Sequence, residues 1–166
     1  WTRSITRDEF EQQLFATFPM DQAANRDGTI IIGESSDIST LNPVLVNDTL
    51  TLQVVGAMFE TLVGGSPIDG QPVPGLADYW EVSPDYLTYV FHINQDAKWH
   101  DGVDVTAEDV KFSFDAALNP NTGSTYTTLF NENIAGYRVI DEHTFEVTAR
   151  DRYVSFLQNG PASIFI

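Results

Sequence analysis

The sequence predicts an α/β chain of the α+β kind, in which helices pack against a mixed sheet. Aromatic and aliphatic residues alternate with other residues over 87–93, which is typical of a strand with one buried face. A capped apolar stripe over 106–118 is typical of a helix. Hydrophobic residues make up 42% of the 166 residues, enough to form a core in one domain or in part of a larger one.

The composition argues against several classes of protein. The 24 acidic residues outnumber the 8 lysines and arginines and give a formal net charge of -16. Such a charge repels nucleic-acid phosphate, so we expect no nucleic-acid partner. Cysteine is absent, which excludes disulfides, thiolate metal sites and a cysteine nucleophile. The apolar end at Ile164–Ile166 leads us to expect a piece cut within a strand or a core-facing segment.

The first residues predict a helix and a linker. Thr6 and Glu9 have the spacing of a capping box, so we expect a helix over 4–18. The polar stretch 19–28 follows and predicts a linker.

A strand and a second helix are expected next. The β-branched run Thr29–Ile32 predicts a strand buried on both faces. Apolar residues at helical spacing over 47–65 predict a helix that Gly64 or Gly65 stops.

The middle of the chain predicts a loop, a hairpin and a helix. Three prolines and two glycines over 66–75 predict a loop. The runs 76–82 and 87–93 predict two strands joined by a turn. Thr106 and Asp109 form a second capping box, so the following helix should run to about residue 118.

The last third predicts a long loop over 119–136, because its periodicity is weak. A hairpin should follow over 137–149, turning at 141–143. A short helix over 152–160 completes the predicted elements.

The stretch around His100 raises the question of a metal site. His92, His100, Asp101 and Asp104 are candidate ligands, but their spacing matches no strong zinc pattern. Asp101-Gly102 is a turn dipeptide, which explains the pair without a ligand. We therefore favour a turn that leads into a helix, and we predict no metal and no cofactor.

Acid–base chemistry finds little support in the sequence. Asp101, Asp104, Glu108 and Asp109 could supply a pair of carboxylates, but chance proximity is expected among 24 acidic residues. Glu108 and Asp109 also lie in a first helical turn, where the helix dipole favours carboxylates. No Gly-x-Ser-x-Gly elbow is present. We predict that the chain is not an enzyme.

Four aromatic side chains could stack on a ligand: Trp80, Trp99, Tyr86 and Tyr126. Packing in the core or at a sheet edge is the preferred interpretation for the first three. Tyr126 differs because it falls in the predicted loop, where binding residues concentrate.

The stretch over 72–118, PVPGLADYWEVSPDYLTYVFHINQDAKWHDGVDVTAEDVKFSFDAAL, resembles the signature region of the family 5 extracellular solute-binding proteins of ABC importers. The matching positions are Pro74–Ala77, Trp80, Asp85, Thr88–Phe91, Lys98-Trp99, Asp101-Gly102 and Thr106–Val110. The segments 37–43 and 58–63 also fit, so the resemblance spans Thr29–Ile166. Asn94 departs from the pattern, since the family commonly has a basic residue there.

This resemblance implies the N-terminal portion of a two-lobed periplasmic-binding-protein fold, including most of an extra domain inserted in the first lobe. Residues 1–28 would form an N-terminal helix and linker, and residues 29–47 the start of lobe I. Residues 48–166 would form the inserted subdomain, truncated at its C-terminal end. Family members are much longer, so the second lobe is not in this sequence.

The resemblance also implies a site. Asp37, Ile38 and Ser39 match the segment whose backbone pairs with an extended peptide as an added strand. Tyr126 matches a loop aromatic residue that faces the cleft. A turn carboxylate remains an alternative interpretation of Asp37.

The implied function is capture of a peptide or similar small solute between two lobes and its delivery to an ABC permease. The implied location is periplasmic or extracellular, either free or as a membrane-anchored lipoprotein. Two alternatives stay open: a non-catalytic part of an exported hydrolase, and an interaction domain without a small ligand. Apolar surface exposed on a truncated lobe also leads us to expect self-association.

Overall fold

The computed structural model describes residues 1–17, 32–34, 36–124, 126–153, 155–160 and 164–166. The predicted linker over 19–28 and nearly all of the predicted strand over 29–32 lie outside these residues.

The described chain forms seven strands and five α-helices. The strands are β1 (Thr2–Arg3), β2 (Val63–Gly65), β3 (Pro72–Pro74), β4 (Ala77–Val82), β5 (Thr88–Ile93), β6 (Ile134–Asp141) and β7 (Thr144–Ala149). The α-helices are α1 (Arg7–Thr17), α2 (Thr49–Gly56), α3 (Ala107–Leu118), α4 (Thr127–Asn133) and α5 (Phe156–Asn159), and short 3-10 helices cover Pro43–Leu45 and Pro120–Thr122. Of the helices in the described residues, none has the length and apolar character needed to cross a bilayer.

The main sheet has five strands in the order β1-β4-β5-β7-β6, and β2 and β3 form a second, two-stranded sheet. Every pairing between the described strands is antiparallel. The predicted hairpins over 76–93 and 137–149 are confirmed. The α+β class, with helices packed on a sheet, is confirmed as well, but the described strands form an antiparallel sheet and not the mixed sheet that we expected.

The core lies on one face of the main sheet. Tyr89, Phe91 and Ile93 alternate along β5 and are buried, as the pattern of this strand predicts. Helix α3 covers this face, and the Phe114 ring lies 4.9 Å from that of Phe145, measured between centroids. Such edge-to-face contacts add to the stabilisation that burial alone provides.

Helix α3 begins where its capping box predicts. The carboxylate of Asp109 accepts hydrogen bonds from the backbone nitrogen and from the hydroxyl of Thr106, each at 2.8 Å. Asn119 then leaves the helical conformation, with φ -73° and ψ 119°, ahead of Pro120. The sequence therefore determines both ends of this helix locally.

Helix α1 also begins at its predicted cap, since Glu9 accepts a hydrogen bond of 2.6 Å from the Thr6 nitrogen. An ion pair of 3.1 Å between Arg7 and Asp78 ties the helix to β4. The preceding residues Thr2–Arg3 pair with β4 and so join the main sheet, which the sequence did not predict.

The helix predicted over 47–65 is wrong in its second half. Helix α2 ends at Gly56, and Gly64 and Gly65 lie in β2 rather than at a helix end. The reason is tertiary: β2 pairs with β3, and Gly75 approaches the Thr61 carbonyl so closely that an added Cβ would lie 2.4 Å from its oxygen. Strand pairing overrides the local helical pattern.

The loop predicted over 119–136 is also wrong in part, because it contains helix α4. This helix is short and buries only Thr127 and Phe130, so it produces little periodicity in the sequence. It is held on α3 by side chains: the Thr127 hydroxyl donates to the Ala117 carbonyl at 2.9 Å, and the Asn131 amide donates to the Leu118 carbonyl at 2.9 Å.

Candidate functional site

The segment Asp37–Ser39 is fastened to the start of helix α2. The Ser39 hydroxyl donates to the Asp48 carboxylate at 2.7 Å, and the Ser39 nitrogen donates to the Thr51 hydroxyl at 3.1 Å. Thr51 is fully buried, so the segment is tied to the interior, although the bond between Ser39 and Asp48 is itself exposed. The segment is therefore held in one position although Asp37 and Ile38 are exposed.

Asp48 is the shared acceptor of this network. Its carboxylate caps α2 by accepting from the Thr51 nitrogen at 2.8 Å, and it accepts the Ser39 hydroxyl as well. Two hydrogen bonds hold the pKa of Asp48 below its usual value. The larger effect comes from the backbone N–H of Thr51, and the next from the side-chain hydroxyl of Ser39. Both bonds stabilise the charged carboxylate.

The backbone of this segment offers mainly acceptors. The Ile38 nitrogen donates to the Asp37 carboxylate at 2.9 Å, and the Ser39 nitrogen is used by Thr51. Within the described part of the chain, no donor bonds to the carbonyl oxygens of residues 37–39. An extended solute that pairs with this segment would therefore donate its own N–H groups to these carbonyls.

Tyr126 stands at the start of α4, which corrects the expectation that it lies in an irregular loop. Its carbonyl accepts a helical hydrogen bond from the Phe130 nitrogen at 3.0 Å, and the two rings stack with centroids 5.9 Å apart. The Tyr126 side chain is 38% exposed, whereas Phe130 is buried. The tyrosine thus presents one side of its ring to solvent.

A pocket of about 270 Å³ lies beneath Tyr126. Its lining comes from the 3-10 helix over 43–45, from α2, α3 and α4, and from the last residues of the chain. The lining residues are Pro43, Val44, Val46, Leu52, Thr61, Ala117, Ser124, Tyr126, Phe130, Ile164 and Phe165.

Of the four residues predicted to contact a ligand, Tyr126 lines this pocket, while Asp37, Ile38 and Ser39 do not. Ser39 is nevertheless close, because its partner Thr51 precedes the lining residue Leu52. The role of all four in binding stays a prediction.

Sequence reasoning missed the rest of the pocket. Leu52 appears in the sequence only as part of a helical stripe, and Phe130 falls in the stretch predicted as a loop. Ile164 and Phe165 reach the pocket through pairing of Phe165 with Thr61, a contact across about a hundred residues that no local pattern signals.

The residues around His100 form the turn that the sequence predicts. Gly102 has φ +89° and donates to the Trp99 carbonyl at 2.8 Å, and Asp101 accepts from the Val103 nitrogen at 3.1 Å. Lys98 pairs with Asp104 across this turn. Within the ranges that the structure describes, no three histidine, aspartate or glutamate side chains are grouped to hold a metal ion.

The fold and this stretch of sequence identify the class of protein. The profile of the bacterial extracellular solute-binding proteins, family 5 (middle), matches residues 71–165. The chain belongs to this family.

Individual relatives agree with this membership. Over 151 residues the chain is 31% identical to the periplasmic oligopeptide-binding protein OppA of Escherichia coli K12, which covers 81% of this chain and 27% of that protein. The chain thus spans about a quarter of the length of that curated relative.

Solved structures show the same architecture. The oligopeptide-binding protein OppAIV of Borrelia burgdorferi aligns with a TM-score of 0.73 at 30% identity, over 78% of this chain and 29% of the other. NikZ of Campylobacter jejuni, solved in complex with Ni(L-His), aligns with a TM-score of 0.68 at 28% identity, over 79% and 26%. Members of this group therefore hold chemically different solutes on one scaffold.

Proposed function

We propose that the protein is the solute-binding component of an ABC importer and that it captures a peptide or similar small solute. The observation that carries this proposal is the anchored segment at Ser39, beside a pocket that Tyr126 borders. The carbonyls of this segment accept from no donor among the described residues. A rigid backbone edge gives affinity through main-chain bonds that do not depend on the side chains of the solute. The relative named as an oligopeptide-binding protein supports a peptide as the solute.

In this proposal the chain supplies one wall of a cleft. Residues 29–47 would begin lobe I, and residues 48–166 would form the subdomain inserted in it. The complementary wall would come from a second lobe that closes on the solute by a hinge motion. A permease in the membrane would then recognise the closed form, and the protein would act in the periplasm or outside the cell, free or lipid-anchored.

We propose no catalytic role for the chain. Asp101 accepts a hydrogen bond inside the turn, Asp104 pairs with Lys98, and Asp109 caps a helix. Their hydrogen bonds account for them as structural groups.

Calorimetry tests the proposal on the protein expressed from its complete reading frame. We expect micromolar or tighter binding of at least one class of short peptide, and a loss of about tenfold or more in Tyr126→Ala. Phe112→Ala is the control, since Phe112 is 74% exposed on α3 and does not line the pocket. Absence of binding to every peptide tested would refute a peptide as the solute.

We also propose that the 166-residue chain self-associates. Leu52 is an exposed lining residue of the pocket, and the exposed Leu41 and Leu45 are close in sequence to the lining residues Pro43 and Val44. Grouped apolar surface of this kind favours association. Sedimentation velocity should show a species larger than the monomer at high concentration, and a purely monomeric profile would contradict this proposal.

A further inference from the structure

The pocket beneath Tyr126 has a volume that suits one side chain of a peptide rather than the whole peptide. Its volume of about 270 Å³ lies just under the roughly 300–1,000 Å³ of pockets that enclose a complete small ligand. Among the described residues that line it, none carries a charge, and the polar ones are the hydroxyl-bearing Thr61, Ser124 and Tyr126.

The floor of the pocket is buried and its rim is exposed. Val46, Phe130 and Ile164 are between 2% and 3% exposed, so they belong to the packed interior. Leu52 and Tyr126 are 44% and 38% exposed and stand at the opening. A preformed apolar floor with an open rim can accept a side chain without rearrangement of the core.

The basic residues of the described chain are already engaged. Each lysine and arginine there bonds to a carboxylate or a backbone carbonyl of the protein: Arg3, Arg7, Lys98, Lys111, Arg138, Arg150 and Arg152. None of them lines the pocket. An acidic group placed there would lose its hydration without gaining a cation among these residues, which makes its entry unfavourable.

We infer that this pocket selects an uncharged apolar or aromatic side chain at one position of the bound peptide and rejects an acidic one. This inference rests on the proposed function and adds a specificity to it. The exposed backbone edge at 37–39 would hold the main chain of the solute, while the pocket reads one residue.

Calorimetry on the protein expressed from its complete reading frame tests the inference. The probes are alanine pentapeptides in which one residue at a time is replaced by leucine, phenylalanine or glutamate. At one position we expect leucine or phenylalanine to bind about tenfold or more tighter than alanine, and glutamate to bind more weakly than alanine. Leu52→Trp should fill the pocket and remove the difference in affinity between the leucine or phenylalanine peptides and the all-alanine peptide. Leu129→Trp is the matched control, because Leu129 is 41% exposed on α4 and lies outside the lining.

The outcomes separate this inference from the function on which it rests. If the wild type binds peptides without any such preference, or if Leu52→Trp retains it, the pocket is not the selecting element and the solute-binding function stands. If the wild type binds none of the peptides, this inference and a peptide as the solute are both overturned.

Discussion

The hydroxyl of Ser39 donates a hydrogen bond of 2.7 Å to the carboxylate of Asp48, the residue that also caps helix α2. One carboxylate thus fixes both the start of a helix and the segment predicted to contact the solute. The folding of α2 and the position of residues 37–39 are consequently coupled.

Asp48→Ala should lower the melting temperature and weaken solute binding together, because it removes the helix cap and frees Ser39. Ser39→Ala should weaken binding with a smaller loss of stability, since the Thr51–Asp48 cap remains. Circular dichroism melting and calorimetry on the same samples measure both effects. Equal binding by wild type and Asp48→Ala would show that the segment needs no anchor.

Acid should weaken this anchor. The pKa of Asp48 is lower in the folded chain than its usual value of 3.8, because the carboxylate accepts hydrogen bonds from Thr51 and Ser39. Its contribution to stability is therefore complete above about pH 5 and is lost as pH falls through the folded pKa. Urea unfolding of the wild type and of Asp48→Asn at pH 6 and pH 3 measures this contribution as the difference between their free energies of unfolding. We expect the wild type to be more stable than Asp48→Asn at pH 6 and this difference to be smaller at pH 3, whereas a constant difference would exclude the carboxylate as its source.

Phe114→Ala should destabilise the fold by about 3–5 kcal/mol, because it leaves a cavity against Phe145 and Tyr137. Phe112 lies on the same helix two residues earlier and is 74% exposed. Phe112→Ala should therefore change the free energy of unfolding by less than about 0.5 kcal/mol. Denaturant titration compares the two variants, and similar losses in both would contradict the placement of the core.

Gly75→Ala should cost about 1–3 kcal/mol, since its Cβ would lie 2.4 Å from the Thr61 carbonyl oxygen and 3.1 Å from that of Leu62. Gly65 is a suitable control because a Cβ built there meets nothing within 4 Å. Gly65→Ala should be neutral or slightly stabilising. Thermal unfolding distinguishes them, and a neutral Gly75→Ala would argue against the close approach of residues 61 and 75.

Local signals predicted the elements that depend on local chemistry. The capping box at Thr106 and Asp109 marked the start of α3, and alternation over 87–93 identified the buried face of β5. Elements fixed by tertiary contacts were missed. Residues 63–65 form a strand only because β3 lies beside them, and α4 is held by hydrogen bonds to the end of α3.

The candidate site divides in the same way. Resemblance singled out Tyr126, which borders the pocket, and the segment Asp37–Ser39, which lies near it. The floor of the pocket joins Val46, Phe130 and Ile164 from distant parts of the chain. Periodicity and motif spacing describe neighbours in sequence, so they could not reveal this convergence.

The most direct test is a crystal structure of the protein from its complete reading frame with a peptide bound. Our account predicts that the main chain of the peptide donates hydrogen bonds to carbonyl oxygens of residues 37–39 and that one face of the Tyr126 ring contacts the peptide. A peptide bound elsewhere, with both elements left in solvent, would contradict it.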